Sequence, residues 1–392
     1  MRGAPKTALS INTKTNCGIL LLIATCILAG AASANPPTVT APLRLGDQFQ
    51  FMLLGSNVPY IVEASTNLQR WSPVATNTDR SQTRVVVLPA SESTSFYRVA
   101  EATPLFGFAI AASSTIDLGG NNMRVDSFDS SDPTHSTDGQ YDSAKAKADG
   151  NVVTSLRITN SISVGNADVY GKVSTGPHGT VYIGPQGSIG DLMWHFSSAK
   201  GFEAGYVTAD MRTQFTNPAV PVGAFIPPIS DGQVGGTNYS YVLETGNWVI
   251  DSFSASNQTM IATGDAILYV TGSVAMNGTS SITISSGASL QMYVADFASF
   301  AGNGIINAND ASKFIVFGLP TCTNIDCTAN SPFSGCVYAP NATLTLRGTN
   351  SVTASIVGSF VGSKVRISGH VALHYDESLR TSGPHEVLSL LP

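Results

Sequence analysis

The sequence predicts an all-β protein: a right-handed parallel β-helix, or solenoid, preceded by a small immunoglobulin- or fibronectin-like β-sandwich. Three observations predict it. Charged residues are 12% of the 392, Gly numbers 37, and Val, Ile, Thr, Ser and Asn fill much of the rest, which favours short strands joined by tight turns. Beyond residue 115 a run of alternating apolar residues meeting Gly-Asn or Asn-Gly recurs, as one coil of a solenoid does. Before residue 100 the alternating runs carry enough bulky residues for a single minimal sandwich. With 43% hydrophobic residues and little charge, the composition is not that of a disordered chain.

The N-terminus carries Arg2, Lys6 and Lys14, then "GILLLIATCILAGAASA" up to Ala34. Basic residues, a short apolar run and small residues at its end predict a secretory signal peptide over residues 1–34. A membrane anchor would need a longer apolar run and a basic stop, and Thr25 before Cys26 departs from a lipoprotein signal. Its removal leaves 17 of 20 Lys+Arg against 26 Asp+Glu, a net charge of −9. An acidic, exported chain with no basic stripe is not built for nucleic acid. No second segment of spanning length follows, so the mature chain is expected to have no membrane span.

Residues 35–100 form the expected sandwich, with Tyr60, Trp71, Phe96 and Tyr97 as core candidates. The segment "YIVEASTNLQRWSPV" and the closing "FYRVA" resemble a small module of exported proteins in verrucomicrobial-type bacteria, which implies no catalytic residue. Residues 101–115 read as linker and lead-in strand, and residues 116–380 as the β-helix. Within it lie "ISVGNADVYG" (162–171), "VAMNGTSSITI" (274–284), "ASFAGNGIINA" (298–308), "LTLRGTNSVTASIVG" (344–358) and "VRISGHVALHYD" (365–376). Neighbouring copies lie about 20–25 residues apart, too few to bury a face alone. Glycines suit the corners, where positive φ or close backbone approach is needed. Antiparallel hairpins with type I′ turns compete with this reading; the similar phase of the Gly-Asn pairs favours the solenoid, and the lack of a strict six-residue period disfavours a left-handed one. Residues 191–250 break the rhythm: "AKGFEAGYVTADMRTQ" suggests a helical turn or two, and "NPAVPVGAFIPPISDG" an extended excursion, since Pro227-Pro228 excludes a central strand. Residues 381–392 read as a C-terminal tail.

"IDLGGNNMRVDSFDSSD", "ADMRTQF", "CVYAPNATLTLRG" and "ASIVGSFVGSKVRISGHVALHYDESL" resemble a bacterial domain of unknown function found in pilus-assembly-associated and other exported surface proteins. The resemblance implies a β-helical fold displayed outside the cytoplasm and no established reaction. The mature chain lacks a pilin-like N-terminal helix.

Candidate sites are few. "RVDSFDSSDPTHSTDGQYDS" concentrates Asp126, Asp129, Asp132, Asp138 and Asp142 among hydroxyls, hard oxygen ligands of the kind calcium takes, although the spacing fits no EF-hand and a solvated loop explains the same letters. Trp194, Tyr239, Tyr241 and Trp248 would stack on glycans or dock a partner if exposed, and would cement the excursion if buried. Cys322 and Cys327 flank "TNID" and suit a small disulfide loop; free thiols are the alternative, with Cys336 buried as a small apolar residue, and a zinc site lacks a nearby histidine. His374 with Asp376 and Glu377 invites acid–base work, but Val371, Leu373 and Tyr375 share one parity and His370 and His374 the other, so the histidines are expected to point outward from a closing coil, with Asp376 capping a short turn. "STDG" (136–139) matches part of a polygalacturonase signature, yet the chain has no Asp-Asp pair, no Gly-His-Gly and no Arg-Ile-Lys. No catalytic residue and no cofactor apart from calcium is therefore expected. The expectation is an exported structural or adhesive protein with cell-envelope proteins or glycans as partners; the alternative is a carbohydrate-binding or polysaccharide-degrading β-helix.

Overall fold

The computed structural model describes residues 38–386 apart from 46–47, 55–59, 66–71, 78–82, 90–95, 102, 121–122, 213–214, 329–332 and 349–353. The expected signal peptide with Cys17 and Cys26, Trp71, and the tail beyond residue 386 lie outside the described residues. The described residues divide into two compact units, 38–105 with 384–386, and 106–383.

The first unit contains two antiparallel three-stranded sheets. Strands Thr38–Leu45, Gln48–Leu54 and Thr83–Pro89 form one; Ser72–Asn77, Tyr60–Ser65 and Phe96–Glu101 form the other. Phe49 of one sheet stacks on Tyr97 of the other, with ring centroids 5.1 Å apart. Both rings are buried with Phe51 and Val62, which is how two inner faces close a sandwich core. Strand Gln48–Leu54 thus supplies aromatic core residues that the sequence reading did not name.

The second unit is a parallel β-solenoid. One inward column records its path: Trp248, Leu268, Met292, Val316, Val337, Phe360, Ile110, Val152, Val173 and Val207 are successive register partners on neighbouring parallel strands. From Leu268 to Val173 every member is fully buried. Each such side chain contributes about 1.5–3 kcal/mol by leaving water, so the column is the core.

The numbers in that column do not rise monotonically. Phe360 is followed by Ile110, because the last turn of the chain, strands Ala354–Ser368 and Val371–Asp376, stacks on the first, strands Ile110–Ala112, Ile116–Asp117 and Arg124–Phe128. Within this unit the chain enters in the middle of the rod at Ile110–Ala112 and winds to one end at Val207–Thr208. It then crosses to the far end and winds back until its final turn meets its first.

The crossing segment is residues 209–212 and 215–228. Met211 N donates to Thr175 O, Tyr338 Oη donates to Thr216 O, and Ile226 pairs with Trp248. The contacts therefore follow the rod from the turns near one end to the turn at the other. Pro218, Pro221, Pro227 and Pro228 hold this strap extended and need no ladder donor. The expected excursion over 191–250 is corrected to this shorter stretch. The helix lies at Leu192–Phe196 rather than in "AKGFEAGYVTADMRTQ", whose Gly201–Phe202 and Val207–Thr208 join the stack, and Ile229–Val234 begins the hairpin that opens the far end.

Corner residues tie turn to turn. Thr279 donates through N and Oγ1 to Asn257 Oδ1 at 2.8 and 3.0 Å, and Asn303 Nδ2 donates to Thr279 O at 3.3 Å. Gly278 beside this ladder has φ of 59°, and a Cβ there would lie 2.3 Å from Asn257 Oδ1. Asn257 itself has φ of 62°, so Asn257→Gly keeps the backbone and removes the bonds. We expect it to lower stability by about 1 kcal/mol, read as the urea midpoint; an unchanged midpoint would show the corner ladders to be ornamental.

Candidate functional site

The aspartate-rich loop leaves strand Arg124–Phe128 and folds back over it. Its carboxylates close their own turns. Asp129 Oδ1 accepts from Ser131 N and Oγ at 3.0 and 2.6 Å, and Asp132 Oδ1 accepts from Thr134 N and Oγ1 at 2.8 and 2.7 Å. Asp142 accepts from Ala144 N and Thr137 Oγ1 at 2.9 and 2.7 Å. Hydrogen bonds from the Thr134 and Thr137 side chains, then from backbone amides, hold the Asp132 and Asp142 carboxyls below the usual range. Asp138 is exposed at φ of 53°. The five aspartates expected to surround calcium are dispersed, and Asp129, Asp132 and Asp142 each reach their own backbone two residues on. Among the described residues no three His, Cys, Asp or Glu converge as metal ligands.

Asp126 has a different place. It is fully buried, and three side chains meet its carboxylate. His374 Nδ1 lies 2.5 Å from Oδ1, Tyr141 Oη donates to Oδ2 at 2.8 Å, and Arg124 Nε is 2.7 Å from Oδ2. Asp126 and His374 are register partners on adjacent parallel strands, so both point to the outer side. Val125 and Leu373 point in. The Tyr141 ring stacks on the imidazole at 3.5 Å between centroids and 18° between planes, and His374 is only 4% exposed. The expected outward parity of His374 holds, and the loop covers that outer face. Its carboxylate partner is Asp126, not Asp376 or Glu377.

Electrostatics hold Tyr141 and Arg124 each in one state. Burial raises the Tyr141 phenol, reinforced by Asp126, so it remains a donor. Burial pulls the Arg124 guanidinium down, but Asp126, Tyr141 and Tyr170 outweigh it, and the group stays charged. Arg124 Cζ lies 4.4 Å from the Tyr170 ring centroid, and that ring stacks on His195 at 3.7 Å. Burial lowers the His195 pKa, only partly countered by the Val169 carbonyl 3.1 Å from Nε2. With its acceptors engaged and its rings sandwiched, this array is suited to pinning loop to sheet rather than to exchanging protons with a ligand.

Asp376 was expected to cap a short turn; the helix Leu379–Ser382 that follows has Ser378 at its N-cap, and Asp376 Oδ1 instead accepts from Ser378 N and Ser130 N at 3.0 Å, tying the aspartate-rich loop to the helix entry. Its Oδ2 is buried without a hydrogen-bond partner among the described residues. Burial raises its pKa above 3.8. A carboxyl raised on folding contributes stability that is complete below its unfolded pKa and is lost as pH climbs through the folded value. Asp376→Asn should therefore gain on the wild type between about pH 4 and pH 7, because it loses this decline. Thermal melts at the two pH values check it; a melting difference that does not change with pH would contradict it.

The remaining candidates separate. Trp248 is buried and donates from Nε1 to Glu244 O at 2.9 Å, while Tyr239 and Tyr241 are half-buried on strand Thr237–Leu243 and Trp194 is half-buried on the helix beside strand Ser188–Gly190. No single aromatic surface joins them, since the helix belongs to the turns at one end of the rod and the strands to the other. Cys322 and Cys327 are not joined: both are free and buried, as is Cys336. Cys327 is inward on the ladder between Phe300 and Leu346, whereas Cys322 Sγ turns to Asn324 O at 3.8 Å. Burial pushes the Cys322 thiol up to about 11.

Arg124, Tyr141, Tyr170 and His195 escaped the sequence reading. The shared parity of Arg124 and Asp126 was the available signal; the pairing with His374 is not local in sequence. Residues 213–382 match a family described as a domain of unknown function (DUF7305). No curated protein and no solved structure matches the chain. Among the described residues no helix is long and apolar enough to cross a membrane.

Proposed function

We propose that this chain is an exported, noncatalytic structural or adhesive protein whose solenoid presents a rigid face to cell-envelope proteins or glycans. One observation carries the reading: the apolar column runs unbroken along the rod, while the corner polar groups are engaged in bonds between turns. Such a body resists bending and offers extended flat faces rather than a reaction cleft. The basic-then-apolar N-terminus supports export. The titratable groups best placed for chemistry are held under the loop.

A second reading, carbohydrate binding, is favoured by a groove of about 290 Å³ where Ser130, Gln140, Asn309, Asp310, Ser378 and Ser382 contribute hydroxyl, amide and carboxylate groups. That size suits a sugar unit or two. The experiment is expression of the full chain with and without residues 1–34, followed by fractionation, glycan-array binding and assay of polysaccharide cleavage. Export that depends on residues 1–34, without cleavage, is the expected result. Release of sugar fragments, or retention in the cytoplasm, would overturn the first reading; saturable glycan binding lost in Asp310→Ala would select the second.

A further inference from the structure

The contact between the last turn and the first is chemically unlike the rest of the rod. Three salt bridges among the described residues cross it: His374–Asp126, Lys147–Glu377 at 2.5 Å and Arg380–Asp149 at 2.5 Å. Ser127 Oγ donates to Glu377 Oε1 at 2.8 Å, and Ser130 N donates to Asp376 Oδ1 at 3.0 Å. Elsewhere neighbouring turns are joined mainly by corner hydrogen bonds and aliphatic columns, and the Lys200–Asp168 pair, at 3.8 Å, is longer and exposed. This junction resembles an interface between two bodies, residues 106–208 and 229–383, with acid and base on both sides.

The covalent link between those bodies is the strap alone. The twenty residues from 209 to 228 can span about 65 Å when extended, whereas the turns they cross, at about 4.8 Å each, cover roughly 40 Å. The chain can therefore part at the junction without breaking a turn. Once parted, each side presents an open parallel edge, and an edge accepts any strand of matching direction, pattern and charge. The partner that matches by construction is a second copy of this chain.

We propose that the junction is exchangeable, and that the first turn of one copy takes up the last turn of another to give a swapped dimer. No new contact is needed, since both junctions of the dimer reproduce the one within a single chain. The intramolecular form is favoured by the short tether, which holds its own edge at an effective concentration in the millimolar range; refolding at high protein concentration favours exchange.

Charge reversal tests it. In Asp149→Arg the intrachain junction sets the introduced guanidinium against Arg380, and in Arg380→Asp it sets two acids together. A swapped heterodimer of these two variants contains one junction with the original Asp149–Arg380 pair and one in which acid and base have changed sides, so like charges meet only where the chains have not swapped. Refolding the two together from urea, each with a different tag, should give a complex with the mass of two chains carrying both tags by light scattering and pull-down. Each variant refolded alone should give none. The double variant in one chain should regain the monomer. Two separate monomers after co-refolding, or equal dimer from each variant alone, would overturn the proposal. If the double variant fails to fold, differently tagged wild-type chains refolded together at high concentration decide the matter: a mixed-tag dimer sustains exchange, and monomer alone refutes it.

Discussion

Gly358→Ala should cost this protein about 2–5 kcal/mol and abolish soluble folded protein wherever the margin is smaller. Gly358 lies on strand Ala354–Ser368 at φ of 138°, in register with Gly335 of the neighbouring turn. A Cβ there would stand 1.8 Å from the Gly335 carbonyl oxygen. The obstacle is backbone, so no side chain can turn aside, and the turns must separate locally. Backbone strain adds to the clash, since a side chain is rarely tolerated at this φ. Gly287→Ala is the control: φ is 76° and nothing lies within 4 Å of the added carbon, so about 1 kcal/mol is expected from strain alone. Urea unfolding of both variants separates the two effects. Equal losses would mean that close approach of the turns is not what Gly358 provides.

Asp126→Ala is the second large effect, a loss of about 3 kcal/mol. It strips the counter-charge from Arg124 and the acceptors from His374 and Tyr141 at once, leaving a buried imidazole and a half-buried phenol without that carboxylate. The figure falls at the low end for a broken buried pair because Arg124 is 35% exposed on its side chain and can turn to water. The loss should be focused: amides of the aspartate-rich loop, residues 129–147, should exchange faster than those of the strands that Leu290 and Val316 occupy, because the pin and not the core has gone. Uniform acceleration along the rod would contradict a pinning role, and so would a stability loss under about 0.5 kcal/mol.

Much of the architecture was legible because its causes are local. Val164, Val169 and Val173 alternate or recur with turn residues between them, and alternation is what a short half-buried strand requires. The candidate sites were less legible. A cluster of aspartates such as 126–142 reads alike whether its carboxylates converge on a cation or each closes a turn, since both uses favour Asp next to Ser and Thr. The spacing of Cys322 and Cys327 permitted a loop, yet strand pleat turned Cys327 inward and left Cys322 at a corner. His374 had its face assigned by parity, but what covers that face comes from a loop 230 or more positions away, as the Lys147–Glu377 separation of 230 shows for its neighbour.

By itself the sequence determined the repeat, the all-β class and the inward set of aliphatic side chains, because strand period and turn chemistry act over a few residues. Only the tertiary structure decided the order of the turns, the strap that permits it, and the meeting of Asp126 with His374. The reason is physical: every rung of a parallel ladder offers its neighbour the same backbone bonds and an equivalent apolar row, so no local pattern records which stretch of chain will lie next to it.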